Sequence, residues 1–138
     1  MSVHPYLFFE GRAEEAIEFY KKALGAKVEM LMRWKDSPDP KMHMPGAENK
    51  VMHAYVNIGE TGVMMSDGRN TGQPTFAGFN LSIATKTPAE ADKLFNALLD
   101  GGKVTMPQSK TFFSERFGMV TDKFGVNWMI LVEGPMGK

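Results

Sequence analysis

The clearest proton chemistry in this sequence comes from one histidine and one aspartate on neighbouring apolar runs. His53 lies inside the run from Val51 to Gly59, and Asp67 ends the next run, just before Gly68. Because imidazole titrates near neutral pH, His53 could act as a general base or hold an anionic group, with the Asp67 carboxylate as its partner. A structural histidine and a turn aspartate that accepts backbone hydrogen bonds are the alternatives. We predict His53 and Asp67 as the candidate catalytic residues.

Alternation around His53 predicts which side chains share its face of the strand. Between Met52 and Ile58 the even positions are apolar, whereas the odd positions carry polar or aromatic groups. The apolar face of a strand must cover a helix, so we expect the other face to line a cleft. The same argument applies to the run that contains Leu81 and Ile83. The predicted cleft residues of these two strands are His53, Tyr55, Asn57, Asn80 and Ser82.

Other potential ligands and acids are more isolated along the chain. His4 lies near the start of the first predicted strand, where a shift of one residue turns a side chain to the other face, and we consider it for metal or substrate contact. His43 lies in a long polar loop over residues 35–50 and is a candidate for a lid. Glu115 begins a late strand, where it is either a pocket acid or a solvated charge. Asp122–Gly125 is typical of a hairpin turn, and we assign no chemistry to it.

Composition excludes several classes of protein. The chain has 138 residues with 16 basic and 16 acidic side chains, so no net charge favours nucleic acid or an anionic membrane surface. Cysteine is absent, which removes disulfides, thiolate metal sites and cysteine nucleophiles. No apolar run approaches the roughly 20 residues of a membrane span, and the first residues lack the pattern of a secretory signal. We therefore expect a soluble, cytoplasmic protein without nucleic-acid or membrane partners.

A repeated segment organises the chain. Residues 13–30 recur as residues 89–106, at an offset of 76 positions that also relates Lys27 to Lys103. Each copy predicts a helix, a glycine turn and a strand. Chance similarity between two amphipathic helices is the alternative. One supersecondary unit used twice predicts two matched sheets in one body.

Apolar periodicity and turn residues predict the order strand–helix–strand–strand–strand twice. In the first half, the predicted helix is Arg12–Leu24 and the predicted strands are Val3–Phe9, Lys27–Trp34, Val51–Gly59 and Val63–Asp67. In the second half, the predicted helix runs from Thr87 to Gly101 and the predicted strands are Gly78–Thr85, Lys103–Met106, Arg116–Thr121 and Val126–Val132. We expect an α+β fold in which a single domain, residues 1–138, holds one module at about 1–70 and a second at about 74–134.

Several stretches resemble the PhnB-like subgroup of the glyoxalase / bleomycin-resistance / extradiol-dioxygenase superfamily, which has the vicinal-oxygen-chelate fold. The most specific is Val-Thr-Asp-Lys-Phe-Gly-Val-Asn-Trp-Met-Ile at residues 120–130. The others are Pro5-Tyr6-Leu7 with Gly11, Ala16–Tyr20 with Leu24-Gly25-Ala26, His53-Ala54 and Met64–Asp67. The resemblance covers nearly the whole chain and implies two βαβββ modules that form a curved mixed sheet around a cleft, usually in a homodimer. Some relatives carry the name of a ubiquinone-pathway methyltransferase, but no glycine-rich turn here leads from a strand into a helix to support that activity.

The resemblance also implies where a metal would lie. Metal-dependent members hold an ion with one side chain from each of four strands, and the matching positions here are Pro5, Met65, Asn80 and Met129. Proline offers no donor atom, and thioethers suit soft ions such as Cu(I) rather than Zn²⁺, Ni²⁺ or Fe²⁺. We therefore expect no metal of the usual kind and no cofactor. On the same alignment Met65 and Met129 give the cleft an apolar wall, to which Phe112 or Phe113 adds.

Three functions remain open at the level of sequence. The first is a metal-free member of the fold that binds a small, mostly apolar molecule in the cleft, either to sequester it or to catalyse an acid–base step. The second is a metal-dependent lyase, isomerase or oxygenase with a displaced site built from His4, His53, Asp67 or Glu115. The third is an interaction module whose dimer is its product. We favour the first, in a homodimer.

Overall fold

Two four-stranded sheets, each with one helix, account for most of the regular structure of the chain. The computed structural model describes residues 1–39, 41 and 44–134. Its contacts separate into a first module, Met1–Thr75, and a second module that begins at Phe76. Each module has the element order that the sequence predicts, which confirms the α+β assignment with two βαβββ units.

The first module closes by pairing its earliest strand with its latest. Its elements are β1 (Tyr6–Phe8), α1 (Ala13–Leu24), β2 (Lys27–Arg33), a short 3₁₀ turn (Trp34–Asp36), β3 (Val51–Ile58) and β4 (Thr61–Ser66). The sheet order is β1-β4-β3-β2. β1 runs parallel to β4, and the other pairs are antiparallel. Helix α1 therefore connects the two edge strands of the sheet, β1 and β2.

The second module repeats this topology. Its elements are β5 (Leu81–Thr85), α2 (Pro88–Leu99), β6 (Lys103–Ser109), β7 (Phe117–Thr121) and β8 (Asn127–Val132). The sheet order is β5-β8-β7-β6, with β5 parallel to β8. The predicted strand at β6 extends three residues further than expected, to Ser109, and the predicted first strand of each module is shorter than expected.

Helix α1 follows from the spacing of its apolar residues. Ala13, Ala16, Ile17 and Tyr20 are at most 1% exposed, and their three- and four-residue spacing turns one face of the helix to the sheet. Gly25 ends the helix with φ at +68°, a left-handed conformation that glycine adopts without strain.

Helix α2 has a stronger signal at its start. Thr87 is the N-cap, and its hydroxyl accepts a hydrogen bond from the Glu90 backbone N–H at 3.2 Å. Pro88 occupies the first helical turn, where its missing N–H costs nothing. The helix therefore starts from its N-cap Thr87, where the sequence predicts its start.

Each helix covers one face of its own sheet. In the first module the buried strand residues beneath α1 include Leu7, Ala54, Val56 and Met65. In the second module they include Val120, Trp128 and Ile130. Trp128 belongs to this core, because its side chain is 2% exposed.

The described part of the long loop is anchored beside the first sheet. The Trp34 N–H donates to the Lys50 carbonyl at 3.1 Å, and the Lys35 N–H donates to the Glu48 carbonyl at 3.0 Å. These bonds return the chain to the start of β3. His43, which we considered as part of a lid, lies outside the described residues.

Candidate ligand-binding face

The first sheet has one face that α1 covers and another that carries aromatic, thioether and imidazole side chains. Strand register places Tyr6 beside Met64, Met64 beside Tyr55, and Tyr55 beside Met30. Residues directly opposite each other on neighbouring strands point to the same side, so these four side chains form a row across the whole sheet. We call the face that bears Tyr6, Phe8, His53, Tyr55 and Met64 the aromatic face.

A tyrosine–histidine hydrogen bond lies on the aromatic face. The Tyr6 hydroxyl and His53 Nδ1 are 2.8 Å apart, and their ring centroids are 5.5 Å apart. Phe8 stacks on Tyr6 with a centroid distance of 4.9 Å. Tyr6 is 37% exposed and Phe8 is 50% exposed. The pair is therefore fixed in position yet open to a ligand on this module.

The direction of that hydrogen bond is set by the tautomer of His53, because a neutral phenol can donate to an imidazole nitrogen or accept from its N–H. Burial raises the pKa of Tyr6, and a hydrogen bond with Ser66 only partly opposes the effect. The hydroxyl therefore keeps its proton at neutral pH. In the His53 tautomer whose Nδ1 accepts this proton, the ring N–H is on Nε2. His53 then presents an N–H donor that Tyr6 does not use.

Two further polar side chains mark the limits of the aromatic face. His4 Nδ1 lies 2.9 Å from the Gly62 carbonyl, which it can satisfy only as a donor, and its ring meets Tyr55 edge-on at 5.8 Å. A Cβ on Gly62 would run into the Tyr55 hydroxyl and ring, so glycine is required for Tyr55 to lie across β4. Asn57 is tied to Glu29, whose carboxylate accepts from the amide at 2.8 Å.

The structure corrects the predicted position of Met65. Met65 pairs with Ala54 and with Leu7, both on the helix-covered side, and it is 0% exposed. Its neighbour Met64 faces the aromatic side instead. The prediction failed because the hairpin between β3 and β4 turns within two residues, from Ile58 to Thr61, and thereby sets the opposite parity.

Asp67 lies on the covered side as well and does not form the predicted pair with His53. It is 1% exposed. One carboxylate oxygen accepts from the backbone N–H groups of Gly11 at 3.0 Å and Ala13 at 2.7 Å, and the other accepts from the Val51 N–H at 2.7 Å. Three backbone donors bind this carboxylate, so its role is to join the start of α1 to β3. The alternative of an aspartate that accepts backbone hydrogen bonds is the one the structure supports.

The predicted site residues of the second module lie on or near its own sheet. Ser82 pairs with Met129 on the face opposite α2, and Asn80 is exposed just before β5. Phe112 is 89% exposed and meets Phe113 edge-on at 5.2 Å. Glu115 is exposed, as a solvated charge would be.

The donor atoms at the four family metal positions do not fit a divalent ion. Pro5 has no side-chain donor, Met65 is buried under α1, and Met129 offers a thioether. Asn80 would be left as the one oxygen ligand of the set. Within the described ranges, no group of three or more His, Cys, Asp or Glu side chains is arranged to hold a metal ion.

Sequence reasoning missed Tyr6, Phe8 and Met64. The short first strand alternates Tyr6 and Phe8 with buried Leu7 and Phe9, and that parity was the available signal. Met64 could not be found in this way because Val63, Met64 and Met65 are all apolar.

Comparison with solved structures identifies the fold. The fosfomycin resistance protein FosX from Listeria monocytogenes is 9% identical, with a TM-score of 0.66 over 98% of this chain and 94% of that chain. At this identity the likeness concerns the fold alone. A glyoxalase-related enzyme from Fulvimarina pelagi gives the same result, with 14% identity and a TM-score of 0.63 over 100% and 95% of the two chains. The architecture is the vicinal-oxygen-chelate fold, as the resemblance implied.

Closer relatives give the family. The model of the family described as 3-demethylubiquinone-9 3-methyltransferase matches residues 1–131, and the chain belongs to this PhnB-like family. Protein YjdN of Escherichia coli is 37% identical over 96% of this chain and 95% of its own. Protein PA1353 of Pseudomonas aeruginosa is also 37% identical, with a TM-score of 0.84 over 96% and 98% of the two chains. The PhnB protein of Bacillus cereus is 29% identical, with a TM-score of 0.80 over 96% and 99%.

The helices of the described ranges are too short or too polar to cross a membrane.

Proposed function

We propose that this protein binds a small, mostly apolar molecule on the aromatic face of its first module, in the cytoplasm and without a divalent metal ion. The observation that carries the proposal is the Tyr6–His53 hydrogen bond among partly exposed rings and thioethers. Sites for small molecules are typically apolar surfaces with a few fixed polar groups that orient the ligand. The aromatic face has this composition.

The chemistry of the face favours a planar, uncharged or weakly acidic ligand with a hydrogen-bond acceptor. Tyr6, Phe8 and Tyr55 offer rings for stacking or edge contact. His53 Nε2 offers the directed donor once Tyr6 occupies Nδ1. Aromatic carbonyl compounds and aromatic acids combine these features. Sequestration and an acid–base step both begin with this binding event.

Methyl NMR on the native chain tests the proposal. The probes are benzamide and benzoate, and the reporters are the ¹³C-labelled methionine methyl groups. We expect shifts at Met64 and Met30, which flank Tyr55, and none at Met65 beneath α1. Absence of shifts at Met64 and Met30 with either probe would refute binding of this class at this face.

Two variants separate the polar anchor from the rings. His53→Ala should weaken binding by about tenfold, equivalent to about 1.4 kcal/mol, and should cost little stability because His53 is partly exposed. Tyr6→Phe keeps the stack on Phe8 and removes only the hydroxyl, so its effect should be smaller. Tyr55→Phe is the matched control, since Tyr55 shares the face but does not touch His53 Nδ1. An equal loss in the control and in His53→Ala would contradict the assigned role of His53.

The side chains at the four family metal positions support the metal-free part of the proposal, because together they offer few donor atoms for a divalent ion. Elemental analysis of the purified protein should give well under one equivalent of Zn, Ni, Fe or Mn per chain, and the fold should persist in chelator. Near one equivalent, removable only with loss of structure, would count against it and favour the metal-dependent alternative.

The proposal includes a homodimer. β1 is an edge strand of its sheet, and its outward side chains Tyr6 and Phe8 are partly exposed. Exposed sheet edges are commonly covered by a partner, and two-fold symmetry is the default for identical chains. Light scattering at micromolar concentration should report a dimer, and a monomer would refute this part. A dimer that responds to neither probe would instead support an interaction module.

A further inference from the structure

The second sheet carries a row of three methionines on the face opposite α2. Register places Met129 of β8 beside Met119 of β7, and Met119 beside Met106 of β6. The strands are consecutive in the sheet, so the three methionines occupy one row, in which Met106 lies between two register shifts of β6. We call the face that bears Ser82, Met106, Met119 and Met129 the thioether face.

Burial confirms that this row does not belong to the core of the module. Gly118 and Val120, which flank Met119, point to α2: a Cβ on Gly118 would meet Phe95, and Val120 is 0% exposed. Met119 therefore points away from the helix. Met106 is 44% exposed, and Met119 and Met129 are partly exposed. An ion could reach the three sulfur atoms from solvent on this module.

The spacing of the row suits one ion. Neighbouring strands lie about 4.8 Å apart, and side chains directly opposite each other on one face are close neighbours. Methionine has three rotatable bonds between its backbone and its methyl group, so adjacent sulfur atoms can converge on a common point.

The donor chemistry selects a soft monovalent ion. Thioether ligands favour Cu(I), whereas Zn²⁺, Mg²⁺ and Ca²⁺ need imidazole, thiolate or carboxylate groups. The three histidines of the chain all precede residue 54. None of the residues in β5–β8 as described is a histidine, aspartate or glutamate. A divalent ion therefore finds no suitable ligand on this face, while Cu(I) finds three.

The equivalent row of the first sheet provides an internal contrast. There the row of side chains from β1 to β2 is, in spatial order, Tyr6, Met64, Tyr55 and Met30. Tyr55 stands where Met119 stands in the second module, so the two thioethers of that row are not adjacent. The repeat thus places three contiguous thioethers in one module and interrupts the row in the other.

We propose that Met106, Met119 and Met129 form a Cu(I)-binding site on the thioether face of the second module. The inference is independent of the ligand proposed for the first module. It concerns equilibrium binding of the ion and requires no redox step.

Competition with a chelator tests the site. The native chain is titrated without oxygen with Cu(I), kept reduced by ascorbate, against bicinchoninate. We expect one Cu(I) per chain. Met119→Leu removes the central sulfur with a nearly volume-conserving change that cores tolerate. It should weaken Cu(I) binding by at least about tenfold. Loss of a residue that only hydrogen-bonds to a metal ligand already weakens metal binding by about 10–100-fold, and loss of a ligand itself should cost no less.

The matched control is Met64→Leu, which changes the methionine equivalent to Met129 in the first module. Binding in this variant should equal that of the native chain. In addition, diamagnetic Ag(I) should shift the labelled methyl groups of Met106, Met119 and Met129 together. Failure to take Cu(I) from the chelator, or equal losses in Met119→Leu and Met64→Leu, would overturn the proposal.

Discussion

Each module buries one aspartate, and the two carboxylates are used over very different ranges of sequence. Asp67 is 1% exposed and accepts from backbone donors that are 56, 54 and 16 residues away. Asp122 is 3% exposed and accepts from Phe124, Val126 and the Trp128 indole, which are 2, 4 and 6 residues away. The first carboxylate joins separate elements, whereas the second organises one hairpin. Two similarly buried carboxylates thus support global assembly in one module and a local turn in the other.

Asp67→Ala should have the largest effect on stability. It removes the carboxylate acceptor of two buried N–H groups, those of Ala13 and Val51, and of the part-buried Gly11 N–H, and each buried group without an acceptor costs roughly 1–3 kcal/mol. We expect the free energy of unfolding to fall by about 3 kcal/mol or more, measured by urea denaturation. If this variant does not fold, Asp67→Asn keeps the shape and gives the measurable loss. A loss of unfolding free energy no greater than that caused by substituting an exposed residue would contradict the role of Asp67 in joining separate elements.

Asp122→Asn should cost less and act locally. The amide oxygen can still accept from the Phe124 and Val126 N–H groups, but the amide nitrogen cannot accept from the Trp128 indole. We expect a loss of about 1–3 kcal/mol, together with a change in Trp128 fluorescence. The spectrum is best recorded in a Trp34→Phe background. Unchanged Trp128 emission would contradict the local role.

The two helices differ in a similar way, because the first turn of α2 is capped by a nearby residue and that of α1 is bound by a distant one. Thr87 caps α2 with its own hydroxyl, whereas Arg12 at the start of α1 makes no capping hydrogen bond. Thr87→Ala should therefore destabilise the chain by about 1 kcal/mol. Arg12→Ala should change it less, because α1 relies on the Asp67 carboxylate. A larger effect in Arg12→Ala would reverse this assignment.

The smallest expected effect belongs to an ion pair that joins α1 to β2. The two terminal nitrogens of Arg33, Nη1 and Nη2, donate to Glu14 at 2.9 and 2.8 Å, and this hydrogen bonding lowers the pKa of Glu14 below its ordinary value of 4.5. Glu14→Gln should cost about 0.2–1 kcal/mol, because Glu14 is largely exposed and solvent screens the pair.

The pH dependence of this pair has a definite sign. The folded state lowers the pKa of Glu14, so its contribution to stability is complete above pH 4.5 and is lost as pH falls through the folded-state value. The difference between the native chain and Glu14→Gln should therefore shrink below pH 4.5 and in high salt. A stability difference that grows on acidification would refute the assigned contribution of the Glu14–Arg33 pair.

The sequence predicted the elements well because their signals are local. Apolar spacing marks α1, the cap and proline mark α2, and alternation marks β3. The face of β4 was predicted wrongly because Val63, Met64 and Met65 carry no alternation. Its parity depends on where the turn after Ile58 closes, and a shift of one residue exchanges the two faces.

The site could be predicted only in part for the same reason. His53 lies on the predicted face of β3, since Ala54 and Val56 on either side of Tyr55 are buried. Its partner is Tyr6, 47 positions earlier in the chain, and no local pattern links the two. Parallel pairing of β1 with β4 brings them together.

That parallel pairing has a consequence for synthesis of the chain. β1 leaves the ribosome early, but its neighbour β4 is complete only when Ser66 has been added. β5 likewise waits for β8, which ends at Val132. Long-range pairings of this kind form late and slow folding, because the loop must close before its contacts can stabilise it. In a nascent chain that stops before Val132, β8 is incomplete. β5 and β7 then lack the full strand that lies between them, and their edges are exposed to other chains.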